Sequence, residues 1–225
     1  MVLIAGLQPD AGVQLGAMGV LFATHALAFM LTSGFGTALA TRTSNELGAG
    51  DWLAAKRATW VGAVLAAMLG VASSVVLVVW ARPWARIYNS DAAVVEVVTQ
   101  AMPYTALSVA SDSLNASLSG VLRGSGQQLL GCMVNLGTFW ALGIPLAAVL
   151  DLRWGWGASG VWVALAGVSL LQALVLIAVV CSFGWERLAK QAQQNAASGQ
   201  VPPLAAQPDL HHHAIYEPLL AAPHA

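Results

Sequence analysis

The sequence predicts an all-α, polytopic membrane helix bundle, and three observations carry that prediction. The 225 residues are 58% hydrophobic and only 8% charged, where soluble domains carry roughly 25% charged residues. The chain divides into five stretches that each exceed the roughly 20 apolar residues a membrane-crossing helix needs. Within those stretches a single charged residue occurs, Asp112.

Residues 11–41 form the first predicted span, free of Asp, Glu, Lys and Arg and long enough to cross with tilt or with a break near Gly34 and Gly36. Residues 58–81 form the second, closed by Trp80, with Trp84 just beyond as a second candidate for an interfacial aromatic belt. The third covers residues 97–122 and contains Asp112. The fourth covers 124–150, where Gly143 and Pro145 offer a kink, and the fifth covers 154–185. Residues 1–7 are apolar but reach only about 10 Å at 1.5 Å per residue, so they read as the end of a truncated N-terminal helix. Residues 1–190 thus make up a transmembrane unit. Residues 191–225, rich in Gln, Pro and Ala and without periodicity, read as a flexible tail.

Charge narrows the functional classes. Nine Lys+Arg against ten Asp+Glu leave a formal charge of −1, so no basic field exists to attract nucleic acid. Cys132 and Cys181 both lie in apolar stretches, where a thiol acts as a small hydrophobe. The N-terminus lacks the basic region of a cleavable signal peptide. Arg42, Lys56, Arg57, Arg123, Arg187 and Lys190 fall on one side of the predicted spans; Arg82, Arg86 and Arg153 fall on the other. The positive-inside rule then puts the first group, and the C-terminus, in the cytoplasm. No phosphate loop, H-E-x-x-H, C-x-x-C or nucleophile elbow occurs, so the chain is not expected to be an enzyme or to need a cofactor.

Asp112 is the residue that demands an explanation, because an ionisable side chain inside a membrane helix is costly and marks a functional site by default. Tyr104, Ser108, Asp112, Asn115 and Ser119 follow one another at steps of four, four, three and four, which puts all five on one helical face. About ten residues separate Asp112 from the end of its span, roughly 15 Å of helix, so it falls near the bilayer midplane, where transporters bind substrate. Low dielectric disfavours the charged form of a carboxyl group, and such a group can take and release a proton. The alternative is structural: a buried aspartate bonded to a neighbouring helix. His25, in the first span, is a titratable candidate for the same cavity or else a helix-contact residue. His211, His212 and His213 lack partners at metal-ligand spacing, so no metal site is expected. Gly12 with Gly16, and Gly120 with Gly124, make G-xxx-G pairs, a pattern that also arises by chance in glycine-rich helices.

Two segments resemble a known family. TRTSNELGAGDWLAAKRA, residues 41–58, is similar to the R-x-S-N-E-L-G-A-G segment of plant-type multidrug and toxin extrusion (MATE) transporters. DSLNASLSGVLRGSGQQLLGCMVNLGTFWALGIPLA, residues 112–147, resembles that family's D-S-x-x-x-x-L-S-G-x-x-R-G-x-G-x-Q segment and the N-L-G and G-I-P that follow it. Trp185 and Glu186 match the W-E that closes the last span. The family fold has twelve helices in two lobes, and the resemblance covers only the second. It implies a secondary antiporter that exports organic cations, xenobiotics or secondary metabolites in exchange for protons or sodium, in the plasma or vacuolar membrane. It also implies partnership with an N-terminal lobe or another copy of the chain. Asp112 matches a carboxylate of the second-lobe cavity; a further family carboxylate, in a W-S-F-E segment, would lie upstream of residue 1. Arg42, Asn45, Glu46 and Gly48 would shape the turn after the first span, and Arg123, Gly124, Gly126 and Gln127 the turn after the third, as gating and structural residues. Two other readings compete: a non-transporting interaction or regulatory subunit, and a lipid-linked-sugar flippase. The flippase should need a cationic cavity, and the predicted spans contain no Lys or Arg.

Overall fold

The computed structural model describes residues 10–198, and among these every regular element is helical. In chain order they are α1 (Ala11–Gly48), α2 (Trp52–Val79), α3 (Ala81–Tyr88), α4 (Ala92–Gly124), α5 (Gln128–Asn135), α6 (Ile144–Ala148), α7 (Gly157–Cys181) and α8 (Trp185–Ala197). Wider, π-helical turns over Leu136–Gly143 and Val149–Arg153 join α5, α6 and the following loop. Among the described residues, five helical runs are long and apolar enough to cross a membrane: α1, α2, α4, the composite run Gln128–Asp151, and α7.

α1, α2 and α4 extend beyond the predicted spans because hydropathy registers only the part that lies in hydrocarbon, while polar end turns remain helical; the fifth predicted span overruns α7 at both ends, and the fourth begins four residues before Gln128. α1 continues seven residues past Thr41 to Gly48 without a break at Gly34 or Gly36. It stops where Gly50 takes φ +84°. There the Asp51 amide donates to the Glu46 carbonyl and the Gly50 amide to the Leu47 carbonyl, the paired bonds of a Schellman cap. α4 ends the same way: Gly126 takes φ +74°, the Gln127 amide bonds the Leu122 carbonyl, and the Gly126 amide bonds the Arg123 carbonyl. Starts are capped by side chains. Asp51 accepts from the Ala54 amide at 2.8 Å, and Asp91 from the Ala93 amide at 2.9 Å, each satisfying a donor with no partner inside the helix. In the fourth span the expected kink at Gly143 and Pro145 is replaced by the π-helical turns on either side. Pro145 has no N–H to give to the preceding turn, and a local change of winding accommodates the loss.

α4 is the central post, packing against α1, α2, α3, α5 and α7. Its contact with α1 is made by small residues. A Cβ on Gly36 would lie 2.5 Å from the Ala116 carbonyl oxygen, one on Gly120 would enter the Gly36 backbone, and one on Gly124 would enter the Ala40 backbone. The Gly120 and Gly124 pair is thus a true close-approach surface, and Gly124 serves helix contact rather than the turn expected of it. The pair Gly12 and Gly16 is not: Gly12 faces open space and Gly16 meets side chains only, those of Val94 and Asn89. Ser74 of α2 reaches the Ala106 carbonyl of α4 at 2.6 Å, and Gly70 lets α2 sit against Ser113.

Two apolar clusters close the ends of this bundle. One gathers Met18, Leu21, Val98, Met102, Val161 and Trp162; the other gathers Leu47, Leu118, Leu122, Leu176, Val180 and Trp185. Trp84, expected in an interfacial belt, instead packs on the first cluster and donates its indole N–H to Thr24 Oγ1 at 2.8 Å. Trp80 remains exposed. Large side chains such as Met30, Leu31, Met68, Val75 and Val79 point outward, an arrangement suited to lipid and unfavourable in water. The tail expected from residue 191 begins as the end of α8, helical through Ala197. Residues 1–7 and the histidines at 211–213 lie outside the described residues.

The α1–α4 contact yields a direct test. Gly120→Ala should lower the thermal stability of the detergent-purified chain by roughly 1–3 kcal/mol, the usual cost of overpacking a close contact. Gly19→Ala, where nothing lies within 4 Å, should leave the melting temperature the same or raise it, since alanine favours helix by about 0.5–1 kcal/mol; a loss at Gly19 equal to that at Gly120 would show that the close approach is not a constraint.

Candidate functional site

Between α1, α4 and α7 the bundle opens a cavity of about 640 Å³. Small residues on α1 and α4 bring the two backbones together around Gly36 and Gly120, and the larger side chains on either side of that contact leave room between the helices. α1 contributes Phe22, His25, Phe29, Ser33 and Thr37; α4 contributes Ser108, Asp112, Asn115, Ser119 and Arg123; α7 contributes Trp162, Ser169 and Gln172. Asn135 and Phe139 complete the wall from the fourth span.

At its centre, Asp112 bridges helices. His25 Nε2 lies 2.9 Å from Asp112 Oδ2, and Asn115 Nδ2 donates to Asp112 Oδ1 at 3.1 Å. Asn115 Nδ2 also donates to the Ser169 carbonyl of α7 at 3.0 Å. One carboxyl group therefore ties α1 to α4 directly and is linked to α7 through its neighbour. The geometry permits two proton arrangements: an Nε2–H of His25 donating to the carboxylate, or a protonated Asp112 donating to a neutral Nε2. The His25 and Asp112 side chains keep 22% and 14% of their accessibility, so the pair faces the cavity rather than sealed protein. Trp162, fully buried, stacks obliquely on both His25, at 5.4 Å, and Phe22, at 5.2 Å, which fixes the imidazole plane.

Among the described residues, four buried polar atoms without a protein hydrogen-bond partner belong to residues lining this cavity: Asn115 Oδ1, Trp162 Nε1, Ser169 Oγ and Gln172 Oε1. An unmet buried polar atom costs about 1–3 kcal/mol, and these four, from α4 and α7, gather behind the cavity lining although none is itself accessible. With Asp112 and the rings of Phe22, Phe29, Phe139 and Trp162, the cavity combines one carboxylate, several aromatic faces and a polar wall. Around Asp112 that set suits an organic cation, which a carboxylate neutralises and aromatic faces attract, while the Arg123 guanidinium also lines the cavity.

Four members of the predicted stripe, Ser108, Asp112, Asn115 and Ser119, line the cavity together, and His25 joins them across the helix interface. Tyr104 does not. It is 41% exposed and outside the lining, because the stripe drifts around the helix and its first turn faces away. Of the loop residues, Arg123 proves to be a cavity residue. Its guanidinium folds back to lie against Gly36, so the helices are not free of cations where they meet the cavity. Arg42 instead pairs with Glu46 at 2.8 Å along the surface of α1. Asn45 gives its carbonyl to the Ala49 amide, and Gly48 is the last helical residue with open space around it. These four shape the end of α1, while the turn itself belongs to Gly50. Gln127 acts through its amide in the α4 cap. Sequence reasoning missed Trp162, Ser169 and Gln172. The i, i+3 pair Ser169 and Gln172 inside an otherwise apolar span was the available signal.

The profile of the MatE family matches residues 1–149. Protein DETOXIFICATION 38 of Arabidopsis thaliana is 31% identical over 194 residues, covering 86% of this chain and 38% of the relative. An uncharacterised transporter of Schizosaccharomyces pombe is 34% identical over 181 residues, covering 80% of this chain and 34% of its own. The crystal structure of the eukaryotic MATE transporter AtDTX14 superposes with a TM-score of 0.82 at 30% identity, covering 86% of this chain and 43% of that one. An inward-facing multidrug resistance MATE transporter shares the fold at 20% identity and a TM-score of 0.65. The chain spans well under half the length of each of these relatives. On its motifs, its bundle and these matches, the chain belongs to the MATE family of multi-pass membrane transporters.

Proposed function

We propose that the chain forms the C-terminal lobe of a secondary active antiporter that exports organic cations in exchange for protons. The observation that carries this reading is the hydrogen-bonded unit of His25, Asp112 and Asn115 facing an aromatic cavity. A deprotonated Asp112 offers the cation a counter-charge. A proton arriving on the carboxyl removes that charge, weakens the cation's hold and allows it to leave. The two ligands thereby exclude one another at one group, which is the minimum requirement for exchange transport. His25 holds one carboxylate oxygen and can pass or accept the proton; Ser108, Ser119 and the Ser169 and Gln172 wall contact the substrate. Arg123, at the end of the cavity beside Gly36, gates access. Arg42, Asn45, Glu46, Gly48, Gly124, Gly126 and Gln127 keep the helix ends in register as the lobe moves.

Alternating access needs a second body to rock against, and the relatives that this chain matches are more than twice as long. The proposed partner is therefore an N-terminal lobe or a second copy. The same side that carries Arg42, Lys56, Arg57, Arg123, Arg187 and Lys190 faces the cytoplasm in this reading, by the positive-inside rule.

The first test is proton-driven efflux of a fluorescent organic cation from vesicles, comparing this 225-residue chain with a version extended by upstream coding sequence. In whichever form transports, Asp112→Asn should reduce efflux to background without changing the folded amount in the membrane. Efflux at the wild-type rate would end the coupling role, and a collapse in abundance would make Asp112 structural. His25→Gln, which keeps a neutral donor but cannot carry the proton, should slow proton-driven efflux by roughly tenfold, about the difference between a charge-assisted and a neutral hydrogen bond. Tyr104→Phe should leave the rate unchanged, since Tyr104 is outside the cavity; an equal loss there would return the whole predicted stripe to the site.

Asn115→Ala removes the link from Asp112 to α7. It should cost about 1 kcal/mol of stability, as interhelical hydrogen bonds in membranes do, measured by thermal unfolding in detergent. No change in unfolding would show that the bond to Ser169 does not hold α7.

A further inference from the structure

A second cavity, sharing no residue with the first, opens at the end of the bundle where α2 begins and α7 gives way to α8. It measures about 610 Å³ and is lined by Trp52, Lys56, Phe183, Trp185, Arg187 and Lys190, with Gly184 and Glu186. Three features of this pocket point to one kind of ligand.

The first is charge. Glu186 accepts from Lys190 at 2.7 Å, and the hydrogen bond and charge of Lys190 hold the Glu186 carboxyl below the usual carboxylate range, so these two remain a neutralised pair. Among the described residues, Lys56 and Arg187 have no carboxylate within ion-pair distance. Two cations from different helices therefore face one cavity without a counter-charge. The second is depth. The pocket sits where the apolar helices α2 and α7 terminate, the level at which hydrocarbon gives way to headgroups, and its aromatic residues are the types found there. The third is rigidity. Trp185 and Ala189 bury one face of α8 on the apolar cluster with Leu47, Leu176 and Val180, and the Gln193 amide abuts Gly50 in the α1–α2 turn. α8 is thus fastened to the bundle, and Arg187 is held facing the start of α2.

We propose that this pocket binds the headgroup of one anionic phospholipid, its phosphate between Lys56 and Arg187 and its glycerol and upper acyl carbons against Trp52 and Phe183. Basic pockets at helix ends on the headgroup level recognise such lipids by charge. A phosphodiester supplies the anion that the two cations lack, while the lipid's apolar part covers the exposed ring faces. The site does not depend on the transport reading. A bound lipid would clamp α8 to α2 and so stiffen the end of the bundle opposite the Trp162 cluster.

The test is lipid retention by the full chain, measured by native mass spectrometry and by thermal shift on adding phosphatidylglycerol or phosphatidylcholine in mixed micelles. Phosphatidylglycerol should bind and raise the melting temperature, and phosphatidylcholine should not. Lys56→Gln and Arg187→Gln should each weaken phosphatidylglycerol binding by about tenfold, the worth of one charge-assisted hydrogen bond to the phosphate. Arg57→Gln, on the same helix but outside the pocket, should change binding by less than about twofold, because a cation without contact to the phosphate acts only through solvent-screened charge. Equal binding of both lipids would overturn the proposal. So would an Arg57→Gln loss as large as that of Arg187→Gln, which would indicate only a general surface field. Displacement of the lipid by soluble glycerol phosphate at matching concentration would also overturn it, because the apolar walls would then contribute nothing.

Discussion

The backbone contact between α1 and α4 is the constraint on which the rest of this structure depends. In a bilayer, lipid is as apolar as the helix surface, so association must come from close packing and interhelical polar bonds rather than from escape from water. Gly36 and Ala40 on one helix against Ala116, Gly120 and Gly124 on the other permit that packing. The contact fixes the register of the two helices, and this register brings His25 opposite Asp112. One turn of slippage would separate them by about 5.4 Å and leave the carboxyl group without its partner.

The cavity follows from the same arrangement. Helices forced together at their small residues diverge where the side chains are large, and the space beside the contact is lined by whatever those positions carry. Here it carries a carboxyl group, an imidazole, aromatic rings and several unmet polar atoms. A bundle selected for stability alone would have filled this volume with aliphatic side chains, since every unmet buried polar group is a cost. Their retention together beside the cavity, on α4 and α7, is a cost that packing for stability does not explain. The outer faces show the opposite choice, with Val, Leu and Met exposed along α1 and α2.

Much of this was legible beforehand, and the misses are instructive. Hydropathy located the five crossing helices of the described residues but missed their ends, cutting α1, α2 and α4 short and running past α7, because it sees hydrocarbon depth and not hydrogen-bonded winding. The glycine motifs could not be ranked from sequence: Gly12 with Gly16 and Gly120 with Gly124 have the same spacing, yet only the second meets another backbone. Tyr104 shows the limit of a spacing argument, since a face that drifts over four turns does not stay in one cavity. Arg123 shows another, because a residue at a helix end can fold its long side chain back towards the interior.

The sequence by itself determined the membrane character, the number of crossing helices, the family and the mid-span carboxyl group of Asp112, because these depend on composition, run length and local motif. It also placed Ser108, Asp112, Asn115 and Ser119 on one face, because helical periodicity is local. Only the tertiary structure decided that His25 meets Asp112 and that Trp162, Ser169 and Gln172 supply the opposite wall. It also decided that Lys56 and Arg187 share a pocket. Each of these joins residues far apart in the chain, and which faces meet is set by how closely neighbouring backbones can approach.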